Sequence, residues 1–114
     1  NLFNRSTYNH NLLFAGWPDV PVDYREASRH PLFSVVDEIE ALNGANTQEE
    51  NAFATDVSRN LGLHGTGGSD AHSIHGIGRC VSVFDGEIRS ESDLIEALKA
   101  GAHAPAQEYN TDGL

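Results

Sequence analysis

One segment of the chain is written as a helix from end to end, and whatever surrounds it has to accommodate that helix. Thr47-Gln48-Glu49-Glu50 is a capping box: the Thr47 hydroxyl can accept from the Glu50 backbone N–H while the Glu50 side chain reaches back. Phe53, Val57 and Leu61 follow at i, i+4 and i+8 and make one apolar helical face. Gly62 then supplies a stop, because glycine suits the left-handed position after a helix. The flanking segments read as strands. Val35–Leu42 alternates apolar residues with acids and ends in the turn pair Asn43-Gly44, and Leu63–Thr66 is a second, shorter strand.

The same pattern continues downstream. Gly78–Phe84 reads as a strand with Val81 and Val83 on one face, and Asp85-Gly86 as a turn. Ser90 can cap a second helix whose first turn carries acids that suit the helix dipole. Leu94, Ile95 and Leu98 form its apolar face, and Gly101 ends it. The polar tail from Ala102 is expected to fray. Strands alternating with helices predict an α/β fold with a largely parallel sheet. Residues 35–101 would form a βαβ-β-α core, with 1–34 as irregular loop and 102–114 as tail. Within the first segment, residues 1–21 show no sustained period, and Val22–Ser28 can form a short helix that His30-Pro31 should stop. The chain begins with Asn1 and contains no Met, which leads us to expect an N-terminally truncated piece of a longer protein.

Composition limits the partners. Asp and Glu number 17 against 7 Lys and Arg, a formal charge of −10. That balance disfavours long duplex nucleic acid, whose binders carry a basic patch. It leaves room for a site that meets phosphates through bound cations, which can be the largest local charges in a site. Cys80 is the single cysteine, so no intramolecular disulfide exists, and a reducing, cytoplasmic location fits. No apolar run approaches the ~18 residues of a membrane helix, and no signal-peptide pattern is present.

The chemistry concentrates in the loop Gly67-Gly68-Ser69-Asp70-Ala71-His72. It follows a predicted strand, and ligands of parallel α/β folds bind at strand C-terminal ends. Carboxylate oxygen and imidazole nitrogen both ligate zinc, manganese or iron. In extended backbone, residues i and i+2 point the same way, so Asp70 and His72 can aim at one centre. The competing reading is an Asx-turn at Asp70 with a locally bonded His72. Taken by spacing alone, that reading is the stronger. His75 could contact substrate and Arg79 could meet a phosphate oxygen through its planar fork, against a surface histidine and a strand-edge salt bridge. His64 and Glu40 read more simply as surface or solvated positions, and Cys80 as a small core residue. There is no G-x-S-x-G elbow and no P-loop.

Taken in order, the blocks Glu40-Ala41-Leu42-Asn43-Gly44, Glu49-Glu50-Asn51, Gly67–His72 and Asp93–Gly101 have a familiar spacing. Residues 36–101 resemble the C-terminal part of PHP-domain proteins, the polymerase-and-histidinol-phosphatase superfamily, which includes small metal-dependent phosphoesterases. The resemblance implies the C-terminal part of a distorted (β/α)7 TIM-like barrel, with a cluster of divalent metal ions at its C-terminal face. It implies that Asp70 and His72 are metal ligands. It also implies a small phosphorylated substrate or, for a 5′-end nuclease of the same fold, a short oligonucleotide. The family's His-x-His pair is missing here. His30-Pro31 imitates its His-Pro element only weakly, since it follows a polar stretch. The remaining ligands are therefore expected from an N-terminal half of the domain, and the isolated chain should be inactive. A non-catalytic α/β module is the rival from another class.

Overall fold

Thr47 and Glu50 close their reciprocal cap as the sequence predicts, with the Thr47 hydroxyl accepting from the Glu50 N–H at 3.2 Å and the Glu50 carboxylate accepting from the Thr47 N–H at 3.1 Å. The helix they start, α2 (Gln48–Asn60), organises the computed structural model, which describes residues 12–107. Before it come α1 (Tyr24–Ala27), a 3-10 turn at Pro31–Ser34 and strand β1 (Glu40–Asn43). After it come β2 (Thr66–Gly68), a 3-10 turn at Ile74–Gly76, β3 (Cys80–Phe84), α3 (Glu91–Ala100) and β4 (His103–Gln107). No helix among the described residues is long and apolar enough to cross a membrane.

Both early strands start later than predicted, for identifiable reasons. Val35–Leu42 does not extend as one strand. His30 Nδ1 accepts from the Leu32 N–H at 3.1 Å and caps the proline-led turn, so extended pairing is delayed to Glu40. The strand predicted at Leu63–Thr66 forms instead at Thr66–Gly68. Gly62 turns left-handed at φ 73°, its N–H bonds the Arg59 carbonyl, and the Leu63 N–H bonds the Ser58 carbonyl. This is a Schellman closure. It keeps Leu63 tied to the helix, so strand pairing begins only beyond it.

β1 and β2 run parallel, with a bulge between Glu40 and Leu42. β3 and β4 run antiparallel, from Cys80 opposite Gln107 to Phe84 opposite His103. The class is thus mixed α/β, and the expectation of a largely parallel sheet is corrected in its second half. There the chain returns beside β3 after α3, with only Gly101 and Ala102 between helix and strand. No closed barrel is present among the described residues. The expectation of a fraying tail is corrected for His103–Gln107, which is a full ladder strand, and the tail beyond Gln107 lies outside the described residues. Pro105, which has no N–H to donate, occupies the strand as an edge position. The two sheets abut at Gly67: Ser82 Oγ accepts from the Gly67 N–H at 2.9 Å and donates to the Gly67 carbonyl at 3.0 Å. A Cβ at Gly67 would collide with the Val81 carbonyl, so this approach requires glycine.

The core sits where α1, α2 and the segment before α1 meet β1. Leu13, Phe14, Ala27, Phe33, Ile39, Ala54 and Val57 are buried there, with Trp17, Phe53 and Leu61 packed against them. The predicted apolar face of α2 is therefore present, centred on Val57. The predicted face of α3 is not covered: none of its residues is buried, and Leu94 and Ile95 remain 37% and 42% exposed. Its caps do form, with Ser90 accepting from the Asp93 N–H at 3.1 Å and Gly101 at φ 66°.

A second tie, longer in sequence, joins the two sheets. Glu38, just before β1, accepts from the N–H groups of Ile39 at 3.1 Å and Gly65 at 2.9 Å. Its other oxygen meets His103 Nε2 at 3.0 Å. The carboxylate faces Nε2, so the proton of a neutral ring lies there. Nδ1 is then left buried and, among the described residues, without a hydrogen-bond partner.

Candidate metal centre

Because β1 and β2 are parallel, their C-terminal ends lie side by side. The Gly44 N–H donates to the Gly68 carbonyl at 2.9 Å, and a Cβ on Gly44 would sit 2.6 Å from the Ser69 oxygen and 3.0 Å from Arg79 Cβ. The strand ends, the start of the loop and the residue leading into β3 therefore converge at one edge.

Asp70 is the only non-glycine residue with positive φ among the described residues, at 46°. Asp tolerates this conformation better than most residues because its short polar side chain can bond locally. The extended-backbone argument for Asp70 and His72 is thereby corrected: the chain kinks at Asp70, and their relation is set by a hydrogen bond instead. His72 Nδ1 lies 2.8 Å from the Asp70 carbonyl. A carbonyl only accepts, so Nδ1 carries the proton and Nε2 keeps its lone pair. This is the arrangement in which a ligating histidine is oriented through its other nitrogen. Both side chains belong to exposed residues.

His75 lies in the Ile74–Gly76 turn, exposed, and that turn folds back on the loop so that a Cβ at Gly76 would be 3.1 Å from Ala71 Cα. Arg79 is exposed at the entry to β3, and no ion pair among the described residues includes it. Glu40 is exposed as well, yet it is oriented: Asn43 Nδ2 donates to its Oε2 at 2.9 Å, and its Oε1 lies against Gly68. Sequence reading treated Glu40 as a solvated position, and the contact that orients it has no local signature.

Other candidates fall away from this edge. His64 precedes β2, at the opposite end of the strand from Asp70, with its ring packed against Gly101 and 5.7 Å from the His103 ring. His30 caps the proline turn and stacks on Trp17 with ring centroids 5.7 Å apart, which gives it a structural role. Cys80 is buried; burial first, and then the negative charge of Glu40, push its thiol above the usual range, so it remains protonated. His103, which the sequence placed in a tail, is buried. Among the described residues no three His, Cys, Asp or Glu side chains are grouped to hold a metal. Asp70 and His72 are thus two donors of suitable chemistry, not a complete set.

The fold is thus mixed α/β, with a parallel strand pair that ends in a glycine loop bearing one carboxylate and one oriented imidazole. The particular family follows from comparison: a family model described as PHP-associated matches residues 48–103, from the first turn of α2 to the first residue of β4. This segment, about half of the chain, belongs to the PHP-associated family and represents the C-terminal portion of a PHP domain. No curated protein and no solved structure matches the chain.

Proposed function

We propose that this chain supplies the C-terminal ligand pair of a divalent-metal phosphoesterase. The observation that carries the reading is the loop itself: inside the PHP-associated match, Asp70 presents its carboxylate from a left-handed kink, and its carbonyl holds His72 with Nε2 free. The Asp70 carboxylate and His72 Nε2 would hold a metal such as zinc, manganese or iron. Bound divalent ions would supply a more acidic water and neutralise charge on phosphoryl oxygens. Arg79 and His75 stand beside the loop to meet the phosphate. Two ligands do not make a catalytic metal site, which takes at least three from protein. The others, and the rest of a (β/α)7 barrel, would come from residues outside these 114, in a cytoplasmic protein. The substrate would be a small phosphoester or a short oligonucleotide, given the charge of −10.

The test uses the full protein carrying this chain. Metal content and calorimetric titration with Mn²⁺ and Zn²⁺ are measured for wild type, Asp70→Ala and His72→Asn. Hydrolysis of phosphomonoesters, nucleoside 3′,5′-bisphosphates and short oligonucleotides is assayed in parallel. We expect each variant to lose about 10–100-fold in metal affinity, the order seen when ligand orientation alone is lost, together with activity on one substrate class. Unchanged metal binding and activity in both variants would remove Asp70 and His72 as ligands, and wild-type protein with neither bound metal nor hydrolysis would leave the non-catalytic module as the correct reading.

A further inference from the structure

Glu40 is held more carefully than an exposed strand residue requires. Its orientation begins in the buried pair Asn43 and Asn51. Asn51 Oδ1 accepts from the Asn43 N–H at 2.9 Å, and Asn51 Nδ2 donates to the Asn43 carbonyl at 3.0 Å. The Asn43 side chain is held in turn by two bonds of its own. Its Oδ1 accepts from the Ala45 N–H at 2.9 Å, which turns Nδ2 toward Glu40. Glu40 Oε2 is thereby drawn forward along β1 to the end where the Asp70–His72 loop begins. Oε1 lies over Gly68, the last residue of β2, where any Cβ would collide with it. No hydrogen bond to protein engages Oε1 among the described residues.

An ionised carboxylate offers acceptors and no donor. Placed beside a phosphate it would be repelled, and Glu40 does not group with Asp70 and His72 around a common metal position. In the free protein water meets Oε1 at this exposed position, and what a bound substrate can offer in its place is a hydrogen-bond donor outside its phosphate. We propose that Glu40 is a specificity-determining residue of this site, accepting a hydrogen bond from a hydroxyl or amino group on the alcohol portion of the phosphoester. The inference rests on the phosphoesterase reading and narrows it: the preferred substrates are phosphoesters of hydroxylated or amino alcohols, and simple alkyl phosphates are poor ones.

The test compares glycerol phosphate with n-propyl phosphate, which keeps the phosphate and carbon chain but lacks the hydroxyls. It uses the full protein carrying this chain with its divalent cation. Hydrogen bonds to charged groups translate into a preference for glycerol phosphate of about 10–100-fold in kcat/KM. Glu40→Ala is expected to bring that ratio close to one, and Glu40→Gln, which keeps an acceptor oxygen, to retain part of it. Gly68→Ala should follow Glu40→Ala, because its Cβ takes the place of Oε1. If that variant does not fold, the two Glu40 variants decide. Calorimetric binding of the two esters gives the same comparison without turnover. A ratio that survives Glu40→Ala, or equal losses on both esters, overturns the assignment of Glu40 alone. Wild-type protein that hydrolyses neither these esters nor the phosphoesters above overturns the phosphoesterase reading and this one with it.

Discussion

At Asp70 the backbone turns through φ 46° and the side chain faces solvent, so conformation and ligation can be separated experimentally. Left-handed backbone costs an L residue with no local bonding roughly 1–2 kcal/mol. Asn tolerates it about as well as Asp. Asp70→Asn should therefore leave the urea midpoint nearly unchanged while lowering divalent affinity, and Asp70→Ala should lose affinity and about 1 kcal/mol of stability as well. Equal stability of the two variants in urea melts would show that the kink does not constrain this position. The buried amide of Asn51 makes a harsher case. Asn51→Ala takes the acceptor from the Asn43 N–H at a site only 5% exposed and leaves the Asn43 carbonyl with the Asn46 N–H at 3.2 Å. An unsatisfied buried group costs about 1–3 kcal/mol, so this change should lower stability by that amount in the same assay. It should also release Glu40.

The helices illustrate which elements a sequence announces. Both ends of α2 and of α3 rest on residues within a few positions of each other: Thr47 with Glu50, Ser90 with Asp93, and Gly62 and Gly101 in left-handed closures. Such signals are local and can be read before any partner is known. Gly62→Ala puts a Cβ into the left-handed position and should cost about 1 kcal/mol in thermal or urea unfolding. A neutral effect would mean that the closure adjusts freely. Strands were legible only in part, because a strand is defined by its neighbour. β1 and β2 begin late, each held back by hydrogen bonds of the preceding turn or helix. β4 was invisible because Ala104, Pro105 and Ala106 carry little strand preference; its ladder with β3 and the burial of His103 decide the matter. The site divides the same way. Asp70 and His72 could be singled out as candidates from their loop and its neighbouring blocks. The orientation of Glu40 could not, since it depends on an amide contact between a strand and the next helix.

For the molecule as a whole, the uncovered side of α3 and the open strand edges set the behaviour of the isolated chain. Leu94 and Ile95 face outward, and neither two-stranded sheet closes on itself among the described residues. Uncovered apolar surface and unpaired edges favour association and weaken cooperative folding. The 114-residue chain alone should melt broadly and bind a hydrophobic dye at moderate temperature. A sharp, concentration-independent transition of a monomer in calorimetry would contradict this.

The tie between Glu38 and His103 spans 65 positions of sequence. During synthesis, the helix, the parallel strand pair and the aspartate loop can all emerge before the residue that completes this contact. Until then the Glu38 carboxylate has only backbone N–H groups for partners and stays open to water on its other side. Docking of the last strand therefore acts as a closing step: a chain stopped short of His103 would carry the Asp70–His72 loop and leave the seam at the other end of the strands unsealed.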